Sequence, residues 1–167
     1  MKIYPEFMDV SRWHWPQPVA PLDDDDLPES ERPHKIRDDK VMVVRLDDMP
    51  RYRRLKGRVL DLFCEYARDY RYLIHGVVSL RYSEIGPGAS LPWHADRYDQ
   101  DDDRILSMTI LAQNAICGGG LQFHDSNIIH LEPGDAVVFD ARWTHRSVRV
   151  LQGTRKIVTA FAGGAKI

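Results

Sequence analysis

Cysteine is scarce in this sequence. Cys64 and Cys117 are the two in 167 residues, one inside a helical pattern and one beside a glycine run, which excludes both a disulfide framework and a cysteine zinc site. Long apolar runs are also missing. The longest span a few residues, far short of the roughly 20 needed to cross a bilayer, and the N-terminal MKIYPEF has no signal-peptide core. A soluble, cytoplasmic protein without a membrane partner is therefore expected. Charge of one sign does not dominate either: 23 Lys and Arg stand against 25 Asp and Glu, a formal charge of −2. With no basic stripe, nothing marks a nucleic-acid surface. The chain shows no internal repeat, and its length suits a single domain, residues 1–167, with a sizeable core.

What is present divides the chain into three parts. Residues 1–47 carry prolines at 5, 16, 18, 21, 28 and 33 and the acidic run Asp23 to Asp26, favouring extended or turn conformations. Trp13 and Trp15 are expensive to leave in water, so this arm should strap over the domain. Over residues 48–70, Leu55, Val59, Leu62, Phe63, Tyr66 and Ala67 recur at three- and four-residue intervals, predicting one amphipathic helix begun by Asp48 and Pro50. Its basic residues, Arg51, Arg53, Arg54, Lys56 and Arg58, form the wet face. Residues 77–162 read as short strands: Val77 to Glu84, Leu91 to Ala95, Ile105 to Ala112, Gly120 to His124, Asn127 to Leu131, Ala136 to Asp140, Thr144 to Val150 and Arg155 to Ala162. GPG, GGG, HDS, PGD and QGT segments separate them. The fold class is thus mainly β with an N-terminal helix, the β part a double-sheet jelly roll.

Three residues in the strand region carry a recognisable chemistry. His94 and Asp96, in WHAD, are two apart, so on an extended strand both side chains project from one face. His145, in WTHRSV, arrives several strands later and can close the set from across a barrel. Two imidazoles and one carboxylate are the facial triad that holds non-haem Fe(II) and leaves coordination positions open for reaction. Ten residues past His145, after the QGT turn, comes Arg155. A buried guanidinium offers a rigid bidentate fork for a carboxylate and is costly unpaired, so an acidic ligand is expected there.

With these residues in place, the chain resembles the Fe(II)- and 2-oxoglutarate-dependent oxygenases, and within them the prolyl 4-hydroxylase-like group. RYSEIGPGASLPWHAD looks like that group's strand-turn-strand leading into HxD, while GGGLQFHD, LEPGDAVVF and HRSVRVLQGTRK look like its later blocks, in the same order. The resemblance covers residues 77–162. It implies a double-stranded β-helix (jelly-roll, cupin-like) core, Fe(II) on His94, Asp96 and His145, and Arg155 on the C5 carboxylate of 2-oxoglutarate. It also implies O2 as co-substrate, ascorbate in a supporting role, and hydroxylation of a C–H bond in a prolyl, peptidyl or free amino acid substrate with release of succinate and CO2. Tyr82, at the RY position, and Thr109 are the candidates to hydrogen-bond the co-substrate. Ile157 stands where some subgroups have the serine of an RxS signature, and TAFAGG replaces the second arginine of the nucleic-acid demethylases.

Other features admit plainer readings. His14, His34, His75, His124 and His130 read as ordinary polar residues, and His124, Asp125 and His130 sit on an expected surface hairpin. Arg97 and Tyr98 open the loop RYDQDDDR after HxD, a natural place for substrate contacts, with a solvated acidic loop as the alternative. Trp143 and Trp93 either floor a substrate pocket or pack the barrel. The glycines 118–120 lack the strand and helix context of a phosphate loop. A non-catalytic cupin-like barrel holding a metal or small acid is the alternative of a different class, and a nucleic-acid demethylase the third.

Overall fold

Period-two alternation across long strands organises the molecule. The structure, a computed structural model, describes residues 1–13, 16 and 40–167; Trp15, the run Asp23 to Asp26 and most of the proline-rich arm lie outside them. Twelve strands and one long helix follow in chain order among the described residues: β1 (Lys2–Tyr4), β2 (Val41–Arg45), α1 (Arg53–Tyr70), β3 (Tyr72–Ile85), β4 (Leu91–His94), β5 (Arg104–Gln113), β6 (Cys117–Gly118), β7 (Leu121–Phe123), β8 (Ile128–Ile129), β9 (Ala136–Asp140), β10 (His145–Ser147), β11 (Val150–Gln152) and β12 (Arg155–Lys166). All pairings are antiparallel. A six-stranded sheet runs β1-β9-β5-β12-β3-β2, a four-stranded sheet β4-β10-β7-β8, and β11 pairs with β6. The two larger sheets enclose the core as a double-stranded β-helix, the expected fold class.

Each central strand sends alternate side chains to opposite sides. Leu80 and Tyr82 of β3, Leu106, Met108 and Ile110 of β5, Ala136 and Val138 of β9, and Val158, Ala160 and Ala162 of β12 pack with α1. Their neighbours Ile85, Leu111, Val137, Phe139 and Ile157 form a second cluster with Leu121 and Phe123 of the opposing sheet. Every apolar position expected on the helix is buried, and the arginines between them are exposed. The helix begins later than expected: Pro50–Tyr52 form a 3-10 turn, Tyr52 is the N-cap and makes no side-chain cap bond, and Asp48 does not cap it. Arg71, left-handed at φ 62°, ends it.

Two strands appear in the arm, for which extended or turn conformations but no sheet pairing were expected. Lys2–Tyr4 pairs with β9, and Val41–Arg45 adds to the edge of β3. Trp13 does strap down, stacked on Tyr52 with ring centroids 6.1 Å apart. The strand expected over Thr144 to Val150 is divided, since β10 serves the four-stranded sheet while β11 turns away to β6.

A buried carboxylate ties the sheet to the chain after the helix. Asp140 accepts from the Tyr72 hydroxyl at 2.7 Å and from Arg142 Nη2 at 2.6 Å, Nε at 2.9 Å and the backbone N–H at 2.9 Å. Burial pushes this carboxyl up, but the Arg142 and Tyr72 bonds overcome it and hold it at about 2. Both folded and unfolded forms are ionised above the ordinary value of about 3.9, so Asp140 contributes fully there and loses its contribution as the pH falls through about 2. Asp140→Ala is expected to destabilise the fold by about 2–3 kcal/mol, read as a lower urea midpoint at pH 7 that converges with wild type in acid.

Candidate active site

The strand turn after β3 brings β4 beside β10, and the register sets His94 directly across from His145. Their rings lie 4.4 Å apart. Asp96, just beyond β4, places Oδ1 3.5 Å from His94 Nε2 and Oδ2 3.5 Å from His145 Nε2. One donor atom from each residue falls within 4.8 Å of the other two, and among the described residues no other His, Cys, Asp and Glu side chains converge in this way. The His124 and Asp125 pair, 2.8 Å apart, is exposed and stands alone.

Hydrogen bonds orient each member. His94 Nδ1 faces the Pro92 carbonyl at 2.7 Å and His145 Nδ1 the Trp143 carbonyl at 2.9 Å. A carbonyl only accepts, so each Nδ1 carries the proton and each Nε2 turns a lone pair toward the shared point. Ser107 of β5 donates to Asp96 Oδ2 at 2.7 Å. Burial raises the Asp96 carboxyl, yet His94 and His145 in their protonated forms and the Ser107 hydroxyl together bring it below the ordinary carboxylate range. Asp96 raises His94 by favouring its protonated form, whereas burial against Phe139 and Phe123 lowers His145. An ionised carboxylate between two inward lone pairs fits a divalent metal, and nitrogen-oxygen donors suit Fe(II).

These residues open onto a cavity of about 490 Å³ between the sheets, which Arg155 also lines. Arg155 is 4 % exposed and makes no hydrogen bond or ion pair among the described residues. Burial alone pushes its guanidinium down to about 10, so it stays charged at neutral pH. In the same cavity the buried Ser147 hydroxyl has no partner among the described residues. A desolvated cation and an orphaned hydroxyl define a place for a carboxylate. Gly119 lets the Arg155 side chain pack close: at φ 75°, a Cβ there would stand 3.2 Å from Arg155 Cδ and 3.3 Å from Val150 Cγ2. The glycine run thus serves close packing.

The remaining expectations divide. Thr109 is buried and lines the cavity, and Tyr98 lines its rim with 72 % of its surface exposed. Trp93 also lines it, 42 % exposed, with Arg146 stacked at 4.6 Å on its ring. Tyr82 faces the other way. Register pairs Arg155 with Ile85, so the odd-numbered residues of β3 line the cavity while Tyr82 packs in the helix-side core and donates to Glu84 Oε1 at 2.7 Å. Trp143 faces a separate surface depression beside His124 and Arg142, and Arg97 bonds the carbonyls of Asp99 and Gln100 on its own loop. Sequence reasoning missed Arg81, Ser83, Ser107 and Phe161 in the cavity wall. The Thr109 assignment already implied Ser107, two residues away on the same face; the others depend on a register that only pairing reveals.

Comparison with known proteins agrees with this geometry. The family model described as "2OG-Fe(II) oxygenase superfamily" matches residues 78–163, just over half of the chain. A search of curated proteins returns no match. Among solved structures, a Pseudomonas putida prolyl-4-hydroxylase superposes with a TM-score of 0.64 at 17 % identity, covering 74 % of this chain and 72 % of that one. A 2OG-Fe(II) oxygenase family oxidoreductase from Burkholderia pseudomallei gives 0.62 at 17 %, covering 86 % and 76 %. The viral collagen prolyl hydroxylase of Paramecium Bursaria Chlorella virus-1 gives 0.60 at 15 %, covering 76 % and 81 %. At these identities the superpositions show a shared fold.

Proposed function

Since the chain belongs to the 2OG-Fe(II) oxygenase superfamily, and so is a dioxygenase using Fe(II), 2-oxoglutarate and O2, we propose that it hydroxylates a C–H bond of a prolyl, peptidyl or free amino acid substrate at the His94, Asp96 and His145 site. Substrate, 2-oxoglutarate and O2 give hydroxylated substrate, succinate and CO2. Fe(II) held there supplies the coupling between oxidative splitting of 2-oxoglutarate and oxidation of the C–H bond. The residues do the rest. The Pro92 and Trp143 carbonyls fix both imidazoles, Ser107 fixes the Asp96 carboxylate, and Arg155 presents its fork to the far carboxylate of 2-oxoglutarate. Val41, Val43, Ile85, Leu121 and Ile157 line the wall and exclude water from the reacting groups.

The observation that carries this reading is convergence of the three ligand residues in one cavity with an unpaired, buried Arg155. Two of the similar structures are named for prolyl hydroxylation, which makes a prolyl group one substrate to test. The described helices include none long and apolar enough to cross a membrane, and Cys64 and Cys117 are free and exposed; both features suit the cytoplasm. Purified protein given Fe(II), 2-oxoglutarate and air is expected to release succinate in step with oxygen uptake, stimulated by substrate. Metal and 2-oxoglutarate binding with no succinate under any condition would leave a binding protein instead.

A further inference from the structure

The cavity holds a second arginine away from the first. Arg81 of β3 is paired with Thr159 of β12, four residues beyond Arg155, which places the two about 13 Å apart along the sheet. Asp96 belongs to the Arg81 end: Ser107, its hydroxyl donor, is paired with Phe161, two residues past Thr159. Arg81 Nε donates to Ser79 Oγ at 3.0 Å, and its guanidinium carbon lies 5.8 Å from the centre of the Phe161 ring. Arg104 approaches the same ring at 5.2 Å, so two guanidinium groups flank one aromatic in the wall.

Only one of the two is paired with a carboxylate among the described residues. Arg104 is matched by Asp102, which accepts its Nε at 2.9 Å and its backbone N–H at 3.0 Å. Asp47, the carboxylate at the neighbouring edge, is taken by Arg45 at 3.3 Å and by the Leu80 N–H at 2.7 Å. Arg81 itself, half-buried in the cavity wall, has no carboxylate within ion-pair distance among the described residues. Its terminal nitrogens are left for something that enters the cavity. A partly desolvated cation held by Ser79 and Phe161 is arranged for an anion, and a planar fork matches a carboxylate in particular.

We propose that Arg81 binds a carboxylate of the primary substrate, so that the protein oxidises a small organic acid, such as a free amino acid, rather than a residue within a peptide chain. This rests on the reading above and narrows its substrate class. The cavity of about 490 Å³ has room for a small acid beside 2-oxoglutarate.

The test needs no knowledge of the natural substrate. Wild-type protein loaded with Mn(II) and 2-oxoglutarate is titrated with isobutyrate or its near-isosteric amide, isobutyramide, each labelled with 13C at the carbonyl carbon, and paramagnetic relaxation of that carbon is read. The acid is expected to saturate at about tenfold lower concentration than the amide. Arg81→Gln should erase that preference and Arg81→Lys keep part of it, with Mn(II) and 2-oxoglutarate affinities unchanged in both. Equal behaviour of acid and amide, no relaxation by either, or a preference that survives Arg81→Gln would overturn the proposal. Failure of the wild type to take up Mn(II) and 2-oxoglutarate would be seen at loading, before any acid is added, and would overturn the oxygenase assignment of the site as well.

Discussion

Asp96→Ala is expected to abolish turnover, lowering succinate release by more than about a hundredfold, because residues that merely support metal ligands already account for 10- to 100-fold effects. Asp96 is the only anion of the triad and stands 3.5 Å from both imidazole Nε2 atoms, so its loss leaves two neutral donors and no charge to hold a divalent ion. Mn(II) affinity should fall in parallel, as followed by electron paramagnetic resonance of free Mn(II). The fold should survive. Asp96 lies just beyond β4, and its removal leaves Ser107 free to turn its hydroxyl elsewhere, so the far-ultraviolet spectrum is expected to match wild type. Activity retained in Asp96→Ala would show the triad to be misassigned.

Arg155→Leu is expected to act on the co-substrate alone. A charge-assisted bidentate contact is worth about 3 kcal/mol, so the KM for 2-oxoglutarate should rise by about a hundredfold while Mn(II) affinity stays within a factor of a few. The stability effect should have the opposite sign to that of an ordinary core substitution. Among the described residues Arg155 is a buried cation with no partner, and replacing such a charge by a packed apolar side chain is neutral or stabilising. Adding 2-oxoglutarate to the metal-loaded protein should raise the Tm of Arg155→Leu only at concentrations about a hundredfold above those that raise the Tm of the wild type. A variant that loses metal and co-substrate binding together would instead place Arg155 among the residues that hold the fold.

Much of this site was legible in the sequence because its parts are local. His94 and Asp96 stand two residues apart across the end of one strand, and Arg155 follows a turn at a strand start, so each is placed by a few neighbouring residues. The helix was equally plain, since its apolar stripe needs no partner to be recognised. Register was not legible. Tyr82 and Arg81 are adjacent, and which of them faces the cavity is settled by Arg155 opposing Ile85 across the sheet, a long-range pairing that no local pattern encodes. Edge strands failed for a related reason: Lys2–Tyr4 and Val41–Arg45 are short, and pairing with β9 and β3 is what makes them strands. Trp143 and Arg97 were judged by nearness in sequence to a ligand, yet the turn between β9 and β10, closed by the Trp143 N–H on the Asp140 carbonyl, and the closure of the Arg97 loop turn each away from the cavity.

Anaerobic optical titration goes most directly to the joint use of the triad and Arg155. Protein with Fe(II) is titrated with 2-oxoglutarate in the absence of oxygen, and a visible charge-transfer absorption is sought that neither addition produces alone. Wild type should develop the band with saturation at one equivalent of metal, Arg155→Leu should need about a hundredfold more 2-oxoglutarate, and Asp96→Ala should give none. A wild-type protein that binds Fe(II) and never develops the band, or a band unaffected by Asp96→Ala, would show that these residues do not hold iron and 2-oxoglutarate together.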